Sequence, residues 1–249
     1  VSSLARELEF RVNFFAKVCL SLTWLGFFVI TLLVIYRNTP SVAGWNKGDG
    51  FVLAGCAYFL DSFYRTFFFS LTEIPSQIRL GTLDFIVTRP LESQFWVSLR
   101  KVGFEQFGSV FAGIGLILVG INITRLHPTL IDWSSWLVLL ICAQAIFYSL
   151  NLSLMTLSIW LVRVDNIEIL SEVAAQFSRN PLDIFGKSIQ LLFLYAIPIG
   201  FLGTMPAEAL TKGFSVQMTF VGILWMIVAL FVSRRFWKYA TTHYSSASA

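Results

Sequence analysis

The sequence predicts an all-α integral membrane protein, and three observations predict it. Of 249 residues, 56% are hydrophobic and only 13% charged, against about 25% charged in an ordinary soluble domain. Six charge-poor runs, at 18–36, 51–69, 107–123, 135–157, 189–205 and 216–232, each come near the ~17–25 residues that a bilayer-spanning helix needs. Lysine and arginine also cluster in alternate loops. With the N-terminus placed in the cytoplasm, that side holds Arg6, Arg11, Lys17, Arg79, Arg89, Arg100, Lys101, Arg163, Arg179, Lys187, Arg234, Arg235 and Lys238. The other side holds only Arg37, Lys47, Arg125 and Lys212. Thirteen against four is a strong positive-inside bias, so both termini are expected in the cytoplasm. The net charge of +4 then reflects topology, and no nucleic-acid partner is expected.

Residues 1–17 precede the first span, and Leu4, Leu8, Val12 and Phe15 recur about once per helical turn with Arg6, Glu7, Glu9 and Arg11 between them. That pattern predicts an amphipathic helix lying in the membrane interface. The first apolar run is longer than a signal-peptide core and lacks a small-residue cleavage site, so it is expected to remain as a span. The outer loops, "RNTPSVAGWNKGDG", "TRLHPTLIDWSS" and "PAEALTKGFS", are short and rich in turn formers.

The cytoplasmic loops are longer. In "SLTEIPSQIRLGTLDFIVTRPLESQFWVSLRK", Thr72 is a candidate helix cap with Glu73 and Pro75 in the first turn, and Gly81 and Pro90 punctuate the rest of the loop. In "RVDNIEILSEVAAQFSRNP", Ile167, Leu170, Ala174 and Phe177 fall on one face, with Asp165, Glu168, Glu172, Gln176 and Arg179 on the other. This spacing predicts an amphipathic cytoplasmic helix ended by Asn180–Pro181. Lys187 then marks the cytoplasmic border of the fifth span, which Pro198 interrupts.

Few residues offer chemistry. Gly186-Lys187-Ser188 matches the end of G-x-x-x-x-G-K-[ST], but the first glycine position holds Pro181. Proline lacks the N–H and the turn freedom that a phosphate loop needs, so no nucleotide site is expected. Cys19, Cys56 and Cys142 lie in or beside spans without a C-x-x-C, and His127 and His243 lie outside them. No catalytic or metal-binding pattern emerges. Asp61 and Arg65, at i and i+4, are the ionisable pair inside a span. They are either part of a translocation route or proton relay, or a self-neutralising structural pair. Ser109 and Gly113 form a small-xxx-small pattern suited to close helix packing, within the chain or at a subunit interface.

Two stretches carry a resemblance. "IRLGTLDFIVTRPLESQFW", with Gly81, Leu83, Asp84, Arg89, Pro90 and Leu91, resembles the loop after span two of bacterial type-2 ATP-binding-cassette (ABC) permeases of the small six-span kind without a fused ATPase. "NPLDIFGKSIQLLFLYAIPIGFLGTMPAEAL" is similar to the same subfamily through Asn180–Pro181, Ile184–Phe185, Ile197–Pro198 and Met205–Pro206–Ala207. The resemblance implies one permease domain over 1–249 that exports an amphipathic substrate (lipid, glycan, drug or similar) across the bacterial plasma (inner) membrane. It implies a non-catalytic chain, with ATP and Mg bound by separate cytoplasmic ATPase subunits. A second permease copy or paralogue would complete a homo- or heterodimer in the bilayer. Residues 1–17 would be the connecting helix, and 72–90 would hold the coupling helix that contacts the ATPase, with Glu73, Gln77, Arg79, Asp84, Arg89 and Pro90 as residues of that coupling segment. A secondary carrier or a membrane assembly factor is the alternative.

Overall fold

The computed structural model describes residues 11–87, 92–161 and 167–244. Arg89, Pro90, Asp165 and residues 1–10 of the expected interfacial helix lie outside them. Eleven α-helices are described: α1 (Arg11–Asn38), α2 (Lys47–Phe67), α3 (Ile74–Arg79), α4 (Asp84–Val87), α5 (Ser93–Leu99), α6 (Phe107–Thr124), α7 (Leu130–Thr156), α8 (Ile167–Ser178), α9 (Lys187–Tyr195), α10 (Thr204–Thr211) and α11 (Val216–Thr242). The strands β1 (Ser41–Val42) and β2 (Trp45–Asn46) pair antiparallel. Ala43 and Gly44 between them take positive φ, as a two-residue hairpin turn requires. Residues 11–17 continue into the first span as one helix.

Among the described residues, four stretches are long and apolar enough to cross a membrane: Val18–Asn38, Phe104–Thr124, Leu130–Ile159 and Val216–Thr242. The expected second span, α2, has 21 residues but carries Lys47, Asp49, Asp61 and Arg65. It is the central helix, buried for most of its length, so its neighbours cover it and it needs less apolar surface.

Local chemistry sets the helix starts. Asn46 caps α2, accepting from Gly48 N (2.9 Å) and Asp49 N (3.1 Å), while Asp49 accepts from Asn46 N. Thr129 and Asp132 make the same reciprocal cap on α7. Asp132 also accepts from Phe214 N at 2.9 Å, fixing the entry to α11 beside the start of α7.

Helices α2 and α6 pack antiparallel along paired glycines. A Cβ on Gly120 would lie 2.6 Å from Gly48 O, and one on Gly113 2.8 Å from Phe59 N. On the facing helix, a Cβ on Gly55 would lie 2.8 Å from Gly113 O. Gly48 with Gly55 and Gly113 with Gly120 are each seven residues, or two turns, apart, so one stripe per helix lets the backbones touch. Gly113 therefore faces α2 of its own chain, and Ser109 shares a hydrogen bond with Ser21 of α1 at 2.6 Å.

The bundle has two ends. One carries Trp45, Thr124, Thr129 and Lys212. The other carries Phe69, Lys101, Trp160 and Trp237, with Trp237 donating to Ser93 Oγ (3.1 Å) and Trp160 stacked on Phe236 (5.6 Å). Asp183 belongs to the first end: Trp45 donates its indole N–H to Asp183 Oδ2 (2.8 Å), and Lys212 Nζ is 3.5 Å from the same carboxylate. Lys212 also bonds Glu208 (2.6 Å) and sits 5.0 Å from the Trp45 ring centre. Burial works to lower the Lys212 pKa, but Glu208 and then Asp183 outweigh it and hold it raised.

This clamp revises the expected fifth span. Asp183 precedes α9 and Lys212 follows α10, so 187–211 enters and leaves at one end of the bundle and does not run from end to end. The α9 helix stops at Tyr195, Pro198 breaks the path, and a 3-10 turn over Ile199–Leu202 leads into α10. Lys187 accordingly lies near the Trp45 end, opposite to its expected place. The end-to-end passage is made instead by α8 and the turn after it: Ser171 bonds Asn151 of α7, Glu172 reaches Arg65 near the Trp237 end, and Asp183 reaches Trp45.

Candidate functional site

The expected cytoplasmic helix is thus an interior one, and its orientation also differs from expectation. Its buried positions are Ile167, Ser171, Ala175 and Ser178, while Leu170 is 55% exposed and Phe177 36%. Small side chains let α8 approach its neighbours closely: a Cβ on Gly203 would stand 2.1 Å from Ser178 O. The large apolar residues turn outward, and Phe177 joins Phe185 and Phe193 in an aromatic cluster.

That rotation brings Glu172 and Arg179 to Asp61 and Arg65 on α2. Arg65 Nε donates to both Asp61 oxygens at 3.2 Å. Arg179 lies 3.6 Å from Asp61 Oδ2, and Arg65 lies 3.8 Å from Glu172 Oε1. The four charges form an alternating ladder, Glu172–Arg65–Asp61–Arg179. Two expected residues and two unexpected ones therefore share one site. The missing signal is the spacing of Ser171, Ala175 and Ser178, which marks a close-packed face without being hydrophobic.

The ladder lines a cleft of about 780 Å³. Its opposite wall is α1, through Leu20, Ser21, Trp24, Phe27, Phe28 and Thr31, with Tyr58 and Ser62 from α2 and Gly103, Glu105 and Gln106 below. Within Val18–Asn38, the most apolar stretch is unburied by the rest of the chain. Beside the charges this helix closes the cleft loosely, through Ser21–Ser109 and the Arg179 guanidinium 5.8 Å from the Phe28 ring centre, while nearer the Trp45 end its Tyr36 packs on Gly50 of α2. A space of this size lined by both charges and aromatic rings, between helices of a membrane bundle, can hold a molecule with a polar head and an apolar body.

A second feature lies at the Trp237 end. Glu73 pairs with Arg100 and Lys101, tying the 3-10 turn Phe69–Glu73 to the segment after α5. Gln77 of the expected coupling segment is buried with Ile74 and Ile78, because α3 turns that face onto the core. Arg79 is exposed and Asp84 half-buried, and both have partners of their own. Between them protrudes a knob that the sequence does not announce: Leu80 is 75% exposed and Phe85 70%, around Gly81 at φ +67. Leu80 follows a six-residue helix and Phe85 lies in a four-residue one, too short for periodicity to mark either side chain as exposed.

Gly186-Lys187-Ser188 opens α9 after a 3-10 turn (Leu182–Ile184), without the strand that precedes a phosphate loop. No curated protein and no solved structure matches the chain. A family profile described as "ABC-2 family transporter protein" matches residues 22–248. It spans the elements that build the cleft and the knob from residue 22 of α1 onward, and the chain belongs to this family of ABC transporter membrane proteins.

Proposed function

We propose that the chain is the permease subunit of an ATP-driven export system, and that the cleft between α1, α2 and α8 is its path for an amphipathic substrate. The observation that carries this reading is the charge ladder. Ionisable side chains within a membrane bundle are costly, and such groups mark a water-filled route when they line one; here they run from Glu172 and Arg65 near the Trp237 end inward to Asp61 and Arg179. A secondary carrier would need ion ligands ordered around a closed site, whereas this cleft is open along α1.

Six crossings fit the geometry: α1, α2, α6, α7, α8 with its following turn, and α11. The unit 187–211 dips in from the outer side and returns. Moving Lys187 outside and Arg179 into the cleft leaves eleven cytoplasmic cations against five, so the charge bias keeps its sign. Both termini and the Trp237 end then face the cytoplasm of a bacterial inner membrane. The Leu80–Phe85 knob projects there, and exposed apolar side chains beyond the bilayer suit a protein partner. The partner is the cytoplasmic ABC ATPase that binds ATP and Mg, with Arg79 beside the knob adding a charged contact. A second permease copy or paralogue completes the transporter.

Purification from membranes of cells producing the full system tests this. An ATPase subunit is expected to co-purify, and Leu80→Glu with Phe85→Glu is expected to reduce its recovery at least about tenfold, as loss of an anchoring pair does at interfaces. The isolated chain is expected to hydrolyse no ATP, with or without Lys187→Ala. Hydrolysis by the chain alone, lost in Lys187→Ala, contradicts the reading.

A further inference from the structure

The substrate class follows from how the ladder is saturated, given the reading of the cleft as a translocation path. Its inner members, Asp61 and Arg65, satisfy one another at 3.2 Å through both carboxylate oxygens. Its outer members are held at 3.8 Å (Glu172) and 3.6 Å (Arg179), longer than hydrogen bonds. Glu172 is 58% exposed at its side chain and Arg179 35%, and both face the cleft. Glu105 also lines the cleft and is already partnered.

The site therefore offers one open anion on α8 and one open cation just past its end, seven residues apart in sequence, with the pair between them closed. A headgroup carrying a single charge can meet only one of them. It then brings an unbalanced charge against the like-charged inner member: an anion at Arg179 also meets Asp61, and a cation at Glu172 also meets Arg65. Between the protein walls of the cleft, where screening is weaker than in bulk water, that repulsion offsets the attraction gained. A headgroup with both charges extends the alternation at both ends and leaves the net charge unchanged. The apolar remainder of the molecule lies along Trp24, Phe27 and Tyr58, and the cleft's opening beside the loosely held α1 gives a tail access from the lipid.

We infer that the cleft selects amphiphiles with a zwitterionic headgroup, Glu172 taking the cationic end and Arg179 the anionic end.

The test uses the full chain in lipid nanodiscs, with the native cysteines replaced and Thr31→Cys on the cleft wall as a reporter. Protection of that thiol from a hydrophilic reagent is measured against four twelve-carbon amphiphiles below micelle formation: phosphocholine, trimethylammonium, sulfate and maltoside. The phosphocholine is expected to protect at a concentration about tenfold lower than the other three, the scale of one charged hydrogen bond. Glu172→Gln is expected to move the preference to the sulfate and Arg179→Gln to the trimethylammonium compound. Arg179→Lys, which keeps the charge and so guards against misfolding as an explanation, is expected to keep the phosphocholine first. A best ligand carrying one charge or none, or a ranking unmoved by the two glutamines, overturns the zwitterion inference and leaves the path reading standing. Failure of every amphiphile to protect overturns both.

Discussion

Asp61→Asn is expected to lower the stability of the detergent-solubilised protein by about 2 kcal/mol. A broken buried ion pair costs about 3–5 kcal/mol, reduced here because roughly a third of each arginine side chain is exposed. The carboxylate compensates two arginines, Arg65 at 3.2 Å and Arg179 at 3.6 Å. Their remaining options differ, since Arg65 keeps Glu172 at 3.8 Å and no other carboxylate pairs with Arg179 among the described residues. Adding Arg179→Gln to Asp61→Asn is therefore expected to recover more of the loss than adding Arg65→Gln. Thermal unfolding of the three variants decides it. Complete rescue by Arg65→Gln alone means that Arg179 does not depend on Asp61, and that the ladder is only the local i, i+4 pair.

The glycine seam gives the other large effect. Gly120→Val is expected to destabilise the bundle by about 3 kcal/mol or more, because overpacking that meets backbone cannot be relieved by a rotamer change. The new Cβ would fall 2.6 Å from Gly48 O and 2.7 Å from Val52 N, both main-chain atoms of α2. Gly113→Val meets Phe59 N and Cα in the same way. Gly115→Val is the matched control on the same helix, since nothing lies within 4 Å of its Cβ. Equal yield and melting temperature for Gly115→Val and Gly120→Val would show that α2 and α6 do not touch along this stripe.

The residues differ in how far their sequence signals reach. The caps at Asn46 and Thr129 and the Ala43–Gly44 hairpin are local, and short-range chemistry dictates them. The long apolar helices α1, α6, α7 and α11 are legible for a similar reason: a bilayer imposes a length and a polarity that the chain must meet by itself. In the sequence of α8, Glu172, Gln176 and Arg179 look like a solvated face, which points to the cytoplasmic surface. In a membrane bundle that logic inverts, as small and polar side chains turn to protein or to a water-filled cleft while Leu170 and Phe177 turn away. Hydropathy alone makes the run at 189–205 a span. Its return path is set by Asp183 meeting Trp45 and Lys212, contacts 138 and 29 residues apart in sequence that no window on the chain contains. Asp61 and Arg65 are visible as costly residues, but their partners on α8 come only with its rotation.

The cleft as a moving, water-filled path is tested most directly by the reactivity of a single cysteine at its wall. Tyr58→Cys in a cysteine-free chain, in inverted membrane vesicles that also contain the ATPase, is treated with a hydrophilic thiol reagent, with and without ATP plus vanadate. Leu224→Cys, on the exposed apolar face of α11, is the control. The account predicts that Tyr58→Cys reacts, that trapping the ATPase changes its rate several-fold, and that Leu224→Cys stays unreactive throughout. A Tyr58→Cys thiol that is inert, or that reacts at the same rate in both states, contradicts it.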